Sequence, residues 1–291
     1  MEKLELKALG KINLGLDVLG RRENGYHDVR MVMQTLFLYD NVTIIRTQEP
    51  GIVLETNLDF LPIDKENIAW KAANMLIEEF QIQDGVKIIL DKRIPVAAGM
   101  AGGSTDCAAA LVGMNQLFDL KLSQQTLMDY GVTLGADVPY CILRGTALSE
   151  GIGEVLTSLP PVPQCHVLIA KPPIHVSTKF VYENLKLNEL ETHPDIDGMV
   201  EAIKENNLSN IASRLGNVLE TVTIPEYPEI AILKQLMLEA GAMNSLMSGS
   251  GPTVFGLFER EEDAQKAYEL CKAQNPSNVV YLTNFFNKNK S

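Results

Sequence analysis

Basic charge is scarce in this sequence. Over 291 residues, 37 acidic side chains face 25 lysines and arginines, for a formal charge of −12. A general nucleic-acid binder or an electrostatic membrane binder needs a positive surface field, so neither class fits. A small anionic ligand stays open, because local donors can override net charge. Cysteine is also sparse. Cys107, Cys141, Cys165 and Cys271 are far apart in sequence, with no CxxC and no zinc-like spacing. Four reduced thiols in a reducing compartment, the cytoplasm, is the expectation. No run approaches the roughly 18 apolar residues of a membrane span. The opening MEKLELKAL alternates charged and apolar residues and lacks the apolar segment of a signal peptide. There is no internal repeat and no low-complexity tract.

What is present suits a globular protein. Hydrophobic residues make up 46% and charged residues 21%, enough for two ordinary domains or one large one. Ile12, Leu14, Leu16 and Val18 alternate with Asn13, Gly15 and Asp17, the period-two mark of a strand with one buried face. Strands are also expected over 42–46, 52–56, 86–90, 167–170, 253–258 and 279–282. Ile68, Ala72, Leu76 and Phe80 mark a helix starting near Asn67, with Asp64 as its cap and Trp70 in the core. Further helices are expected over 104–118, after Ser123, and over 178–186, 198–205, 208–220 and 228–240. Gly241 suits the left-handed position that ends the last of these, and another helix follows from Ala264. Strands and helices mix without strict alternation, so the fold class is α+β. Pro160, Pro161 and Pro163 place a boundary between a domain over 1–159 and one over 160–291.

One stretch asks for a chemical explanation: Pro95-Val96-Ala97-Ala98-Gly99-Met100-Ala101-Gly102-Gly103-Ser104-Thr105-Asp106. It follows a strand and precedes a helix, where unpaired N–H groups and a partial positive charge favour phosphate. Gly99, Gly102 and Gly103 let an anion approach the backbone. Ser104 and Thr105 add hydroxyl donors, a Mg²⁺ ligand or a helix cap. The spacing is neither GxxxxGK[ST] nor GxGxxG, and no lysine lies between Arg93 and Lys121. A glycine-rich turn remains the plain alternative.

Other candidates each have a plain reading too. Lys11 is a strand-edge lysine with its ammonium in water, or it stabilises charge in phosphoryl transfer. Asp137, in Gly135-Ala136-Asp137-Val138-Pro139, caps a helix or accepts a hydroxyl proton. Gly25-Tyr26-His27 is a surface turn, or an aromatic face and a hydrogen-bonding ring for a nucleobase. Ser248-Gly249-Ser250-Gly251-Pro252 is a tight turn or a close wall on a ligand.

Taken together, "GKINLGL" (10–16), "PVAAGMAGGSTD" (95–106) and "LMSGSGPTVFGLF" (246–258) resemble the three motifs of the GHMP kinase superfamily. Its phosphate loop, similar to PxxxGLGSS, accounts for a nucleotide loop of neither standard type. "NGYHDV" (24–29), "LGADVPYC" (134–141), "GTALSEGIGE" (145–154) and "RLGNVLE" (214–220) are similar to the branch acting on a cytidine-diphosphate-linked methylerythritol. That branch serves the methylerythritol phosphate route to isoprenoid and terpenoid precursors. The similarity runs from about residue 6 to residue 285.

The resemblance implies a domain like the second domain of ribosomal protein S5, then a ferredoxin-like domain, with the active site in the cleft between them. It implies ATP-dependent phosphorylation of the 2-hydroxyl of the methylerythritol moiety, with ATP as co-substrate and Mg²⁺. Lys11 and Asp137 become the catalytic pair, Lys11 stabilising the carboxylate and the transferring group. Pro95, Val96, Ala97, Ala98, Gly99, Met100, Ala101, Gly102, Gly103, Ser104 and Thr105 become the ATP loop, with Asn67 on the adenine side. Asn13, Tyr26, His27 and Thr178 become substrate contacts, Tyr26 by stacking on cytosine. No nucleic-acid or membrane partner is expected, and the assembly is a monomer or homodimer. A homoserine or sugar kinase of the same superfamily is one rival. A non-catalytic metabolite-binding protein on the same scaffold is the other, and an S5-like RNA binder is weaker given the charge. Three departures from the usual pattern stand out. Gly10 replaces an alanine before Lys11 and frees the backbone there, Met100 stands for leucine, and Thr105 stands for serine with a methyl group near the phosphates.

Overall fold

A computed structural model of the chain describes residues 2–288. The chain forms two compact units, and neither is one continuous stretch. The first holds residues 1–10, 38–96 and 101–143; the second holds 11–37, 97–100 and 144–291. Two long strands, β1 (Lys3–Arg21) and β2 (His27–Thr47), contribute to both.

In the first unit, β3 (Ile52–Thr56) pairs parallel with β4 (Gly85–Asp91), which pairs antiparallel with the second half of β2. Helix α1 (Ile68–Glu79) connects β3 and β4. Asn67 caps it, its Oδ1 accepting from the Ala69 N–H at 2.9 Å. Asp64 instead accepts from Glu66 in the preceding turn, so it is not the cap that the sequence suggested. Helix α2 (Gly102–Leu117) follows the glycine stretch and buries Cys107, Ala108, Ala109, Ala110 and Leu111. Small side chains let it lie close to α1 and to α4 (Val138–Leu143), with α3 (Gln124–Leu134) between α2 and α4 in sequence. Ser123 caps α3 as expected. Trp70 is only half-buried. It lines an open cleft of about 540 Å³ with Asn74, Glu78 and Leu134, rather than the core.

In the second unit, β5 (Thr146–Glu150) pairs with the first half of β2 and with β6 (Val155–Ser158). The chain then enters an antiparallel four-stranded sheet. Its strands are β7 (His166–Lys171), β9 (Asn244–Met247), β10 (Val254–Phe258) and β11 (Val279–Asn284), in the order β11-β7-β10-β9. Before β9 come α5 (Thr178–Asn184), α6 (Ile196–Lys204), α7 (Leu208–Ser213), the short β8 (Gly216–Asn217), α8 (Glu220–Glu226) and α9 (Glu229–Glu239). The helix expected over 208–220 is therefore interrupted. Residues 216–217 leave it to pair parallel with Gly15 and Leu16 of β1. Gly241, at φ +109°, ends the stretch after α9 as its position suggested. Helix α10 (Glu261–Gln274) carries three acidic residues in its first turn, favoured by the helix dipole. With α9 it covers the sheet, whose strand β10 is buried throughout.

Strand β1 corrects the expectation of one wet face. Residues 8–18 are all buried, including Asn13 at 0% exposure and Asp17 at 6%. Alternation places Lys11, Asn13, Gly15 and Asp17 on one face. This polar face is enclosed as thoroughly as the apolar one. A buried polar row must find partners, so it marks a place to look for chemistry.

Candidate active site

The second unit gathers residues from all three glycine-containing motifs. Lys11 is 4% exposed, and its Nζ donates to Asn13 Oδ1 at 2.8 Å. The Asn13 amide points on to Met31 Sδ at 3.3 Å. Lys11 is thus not an edge lysine in water. The N–H of Lys11 donates to the Met100 carbonyl at 3.2 Å, tying β1 to the loop segment Ala97–Met100. Ser248 ties the third motif to the same segment, its Oγ donating to the Gly99 carbonyl at 2.9 Å. A Cβ at residue 99 would lie 2.1 Å from the Ser248 carbonyl oxygen, and φ there is +70°, so only glycine fits.

Ser250, two residues on, shares a 2.9 Å hydrogen bond with Thr178 Oγ1 at the start of α5. The same helix carries Tyr182, whose ring centroid is 5.1 Å from that of His27. Tyr26, beside it, is 56% exposed on a turn closed by the Arg22 N–H donating to the Tyr26 carbonyl. One short helix therefore touches both the Ser250 loop and the Tyr26–His27 turn. Tyr182 was not singled out in the sequence; its only signal there is that it lies one helical turn beyond Thr178. Burial, with a smaller effect from Arg21, holds the His27 imidazolium below its ordinary range, so the ring is neutral at pH 7.

The glycine stretch has the backbone of an anion cradle. Ala97 (φ +50°), Gly99 (φ +70°) and Ala101 (φ +57°) are left-handed at alternate positions. Such alternation turns successive N–H groups toward one side and forms a concavity for anions. Left-handed alanines are strained, which is common where a ligand is to be held. Helix α2 then begins at Ala101 with no side-chain cap. Neither Ser104 nor Thr105 caps it, contrary to the plain reading. Ser104 is half-buried in the first turn.

Thr105 is 1% exposed, and its Oγ1 donates to the Leu9 carbonyl at 2.8 Å. Its methyl group is therefore packed in the interior, and its hydroxyl is spent on backbone. Gly10 sits in close packing: a Cβ there would come within 3.3 Å of the Leu38 carbonyl and 3.2 Å of Ile94, so an alanine would need those neighbours to give by a few tenths of an ångström. Met100 is fully buried, in keeping with the leucine it replaces.

The stretch has no lysine of its own, but one lies just before it. Lys92, just before the stretch, is buried in the first unit, with Nζ 2.5 Å from both Asp40 and Asp106 and 3.3 Å from the Gly102 carbonyl. Asp40 Oδ1 also accepts from the N–H groups of Arg93 and Ile94. This cluster pins the strand end at 92–94 to the first turn of α2. Asp106, on α2, is a partner of Lys92. Its Oδ1 is buried with no hydrogen bond among the described residues. Burial, aided by the Asp40 charge and opposed by Lys92, raises its pKa to about 7.

Asn67 and Asp137 stand at the starts of α1 and α4 in the first unit. Both amide groups of Asn67 are engaged, with Nδ2 donating to the Pro62 carbonyl at 2.9 Å. The Asp137 carbonyl accepts from the Cys141 N–H at 3.1 Å, the first bond of α4, and the side chain is half-buried.

Comparison with known proteins agrees with this geometry. The description "GHMP kinases N terminal domain" matches residues 67–145, and "GHMP kinases C terminal" matches residues 199–276. A 4-diphosphocytidyl-2-C-methyl-D-erythritol kinase from Lachnoclostridium phytofermentans is 58% identical over 98% of both chains. A crystal structure of 4-(cytidine 5'-diphospho)-2C-methyl-D-erythritol kinase is 30% identical, with a TM-score of 0.83 over 98% of this chain and 100% of that one. A homoserine kinase from Cytophaga hutchinsonii shares the fold, with a TM-score of 0.79 over 98% of this chain and 95% of that one at 21% identity. Two motifs that hydrogen-bond to one glycine loop, matched in order over nearly the whole length, place this chain in the GHMP kinases, among the 4-diphosphocytidyl-2-C-methyl-D-erythritol kinases.

Proposed function

We propose that this chain transfers the terminal phosphoryl group of ATP to the 2-hydroxyl of 4-diphosphocytidyl-2-C-methyl-D-erythritol. The observation that carries the reading is the meeting, within one unit, of Lys11, the Gly99 segment and the Ser248–Ser250 loop. The left-handed backbone that leads into an uncapped helix supports placing the ATP phosphates over Pro95 to Thr105. Asp137 takes or orients the proton of the acceptor hydroxyl. Lys11 stabilises charge on the transferring group, and Asn13 orients both Lys11 and the acceptor. Thr178 binds the acceptor. Tyr26 offers its exposed ring for stacking on cytosine, and neutral His27 offers a hydrogen bond without charge. Asn67 serves the adenine side. Positioning and electrostatics carry most of phosphoryl transfer, so little covalent work falls to the protein.

Magnesium fits as a counter-ion brought by the nucleotide. Among the described residues no three carboxylate, histidine or cysteine groups converge, while a hydroxyl, Ser104, lies in the first turn of α2. A donor set of that kind suits a cation that keeps phosphate oxygens and waters as most of its ligands. When bound, it neutralises phosphate charge.

The division into domains 1–159 and 160–291 is kept as a proposal, supported by family matches that fall on either side of it. A cytoplasmic setting is proposed too, supported by the burial of all four cysteines.

The test is ADP release from ATP and Mg²⁺ with the cytidyl substrate, homoserine, mevalonate and galactose offered in parallel, for the wild type and Tyr26→Ala. Turnover of the cytidyl compound alone, weakened in Tyr26→Ala and abolished by excess chelator, is expected. Turnover of a different acceptor discards the substrate. Nucleotide binding without any turnover favours a metabolite sensor.

A further inference from the structure

The segment Arg214–Glu220 is distinctive in the sequence but has no role in the reading above. It lies in the second unit, along the outer edge of β9. That strand ends the four-stranded sheet, so among the described residues one row of its backbone groups has no neighbouring strand. Two side chains occupy that edge. Asn217 is 7% exposed and uses both amide hydrogens, Nδ2 donating to the carbonyls of Met247 at 2.9 Å and Gly249 at 2.8 Å. Its Oδ1 accepts from the Leu219 N–H at 3.0 Å. Glu220 Oε1 accepts from the Met247 N–H at 2.8 Å, and its other oxygen accepts from Lys234 at 2.6 Å. Both backbone groups of Met247 are therefore held by side chains, as is the carbonyl two residues later. Between those anchors sits Ser248, whose hydroxyl holds the Gly99 carbonyl.

We propose that Asn217 and Glu220 are positioning residues for ATP. They fix the end of β9 so that Ser248 presents its hydroxyl to Gly99, and this sets the left-handed turn of the loop. The inference rests on reading Ala97–Met100 as part of the ATP loop. Neither side chain touches the nucleotide. A fully satisfied buried amide has little freedom to shift, and neither does a carboxylate shared between an N–H and an ammonium. The acceptor side has support of its own from α5, because Ser250 Oγ shares a 2.9 Å hydrogen bond with Thr178 Oγ1. The effect therefore falls on ATP rather than on the acceptor.

Asn217→Asp keeps the shape and the Leu219 bond but turns two donors into an oxygen facing two carbonyls. Steady-state kinetics and calorimetric ADP binding would be measured for the wild type, Asn217→Asp, Glu220→Ala, Glu220→Gln and the milder Ser248→Ala. The expected result is a rise of roughly tenfold or more in the ATP KM and the ADP Kd for Asn217→Asp and Glu220→Ala, with the acceptor KM within about threefold of wild type. Ser248→Ala should shift in the same direction, and adding it to Asn217→Asp should cost little more. Glu220→Gln, which keeps an acceptor for Met247, should lose less than Glu220→Ala. Unchanged ADP binding in folded Ser248→Ala, or an equal rise in both KM values for Asn217→Asp, overturns the proposal. If the wild type itself bound no ADP, the loop assignment would fail instead.

Discussion

Lys11 shows how much one side chain can carry. A buried ammonium is costly unless paired, and here it is held by Asn13 inside an enclosed strand. A methionine would fill the same space without the desolvation, so that exchange isolates the charge. Lys11→Met should lower kcat by at least about a hundredfold, and so should Asp137→Asn, while ADP affinity stays within a few-fold. Single-turnover rates beside calorimetric ADP binding check this; an equal loss in both would assign the residues to the fold. Asp106 makes a different case, because its pKa rises from an ordinary 3.8 to about 7 in the folded chain. The folded state then binds a proton more tightly than the unfolded one. The stability this contributes is complete below pH 4 and is lost as the pH rises through about 7. Asp106→Asn stays neutral and removes that dependence. Subtracting the variant's unfolding free energy from the wild type's should give a curve falling by on the order of 1 kcal/mol or more between pH 4 and 8. A flat difference curve would show that Lys92 keeps the Asp106 carboxylate ionised throughout.

At the scale of elements, Asn67 joins a cap to a proposed nucleotide contact. Asn67→Ser keeps an acceptor for the Ala69 N–H but removes the amide donor. Its unfolding midpoint should hold within a degree or two, whereas alanine would cost about 1 kcal/mol. The ATP KM of the serine variant should rise severalfold, and an unchanged KM would leave Asn67 as a cap alone. The cap was misread in the sequence as Asp64 because both residues are good cap types and lie three apart. Only the turn geometry separates them. Strands with a clean period, such as 52–56 and 86–90, were legible, as were the α1 and α10 helices. The first half of β2 and β5 were not, since they pair with each other from far apart in the chain, and β6 was not either, being completed only by β5. The break in the helix expected over 208–220 was hidden for the same reason: Gly216 and Asn217 pair with β1. At the site, the glycine stretch was legible from its composition. Lys92, Asp40, Tyr182 and the Asn217–Glu220 brace were not, because each acts through a residue far away in sequence.

For the whole molecule, composition pointed to an anionic chain with reduced thiols, and the structure gives that second point a physical form. Cys107, Cys141, Cys165 and Cys271 are all buried. Burial raises the thiol pKa of Cys165 to about 12 and that of Cys271 to about 11, and pushes Cys107 higher still. The thiolate is the reactive form, so burial and a raised pKa suppress reaction together. Two of the four, Cys107 and Cys141, lie in the first unit, and Cys165 and Cys271 lie in the second. Their reactivity therefore reports opening in each unit separately. A chromogenic disulfide reagent at pH 8 should titrate four thiols per chain in strong denaturant and essentially none promptly in the native protein. Activity should not depend on added reductant. Any slow native reaction should follow the opening equilibrium, so a saturating nucleotide should slow it. A thiol that reacts within seconds in the native state would mean that its unit opens far more readily than its packing implies. Mapping the labelled cysteine would show which unit it is.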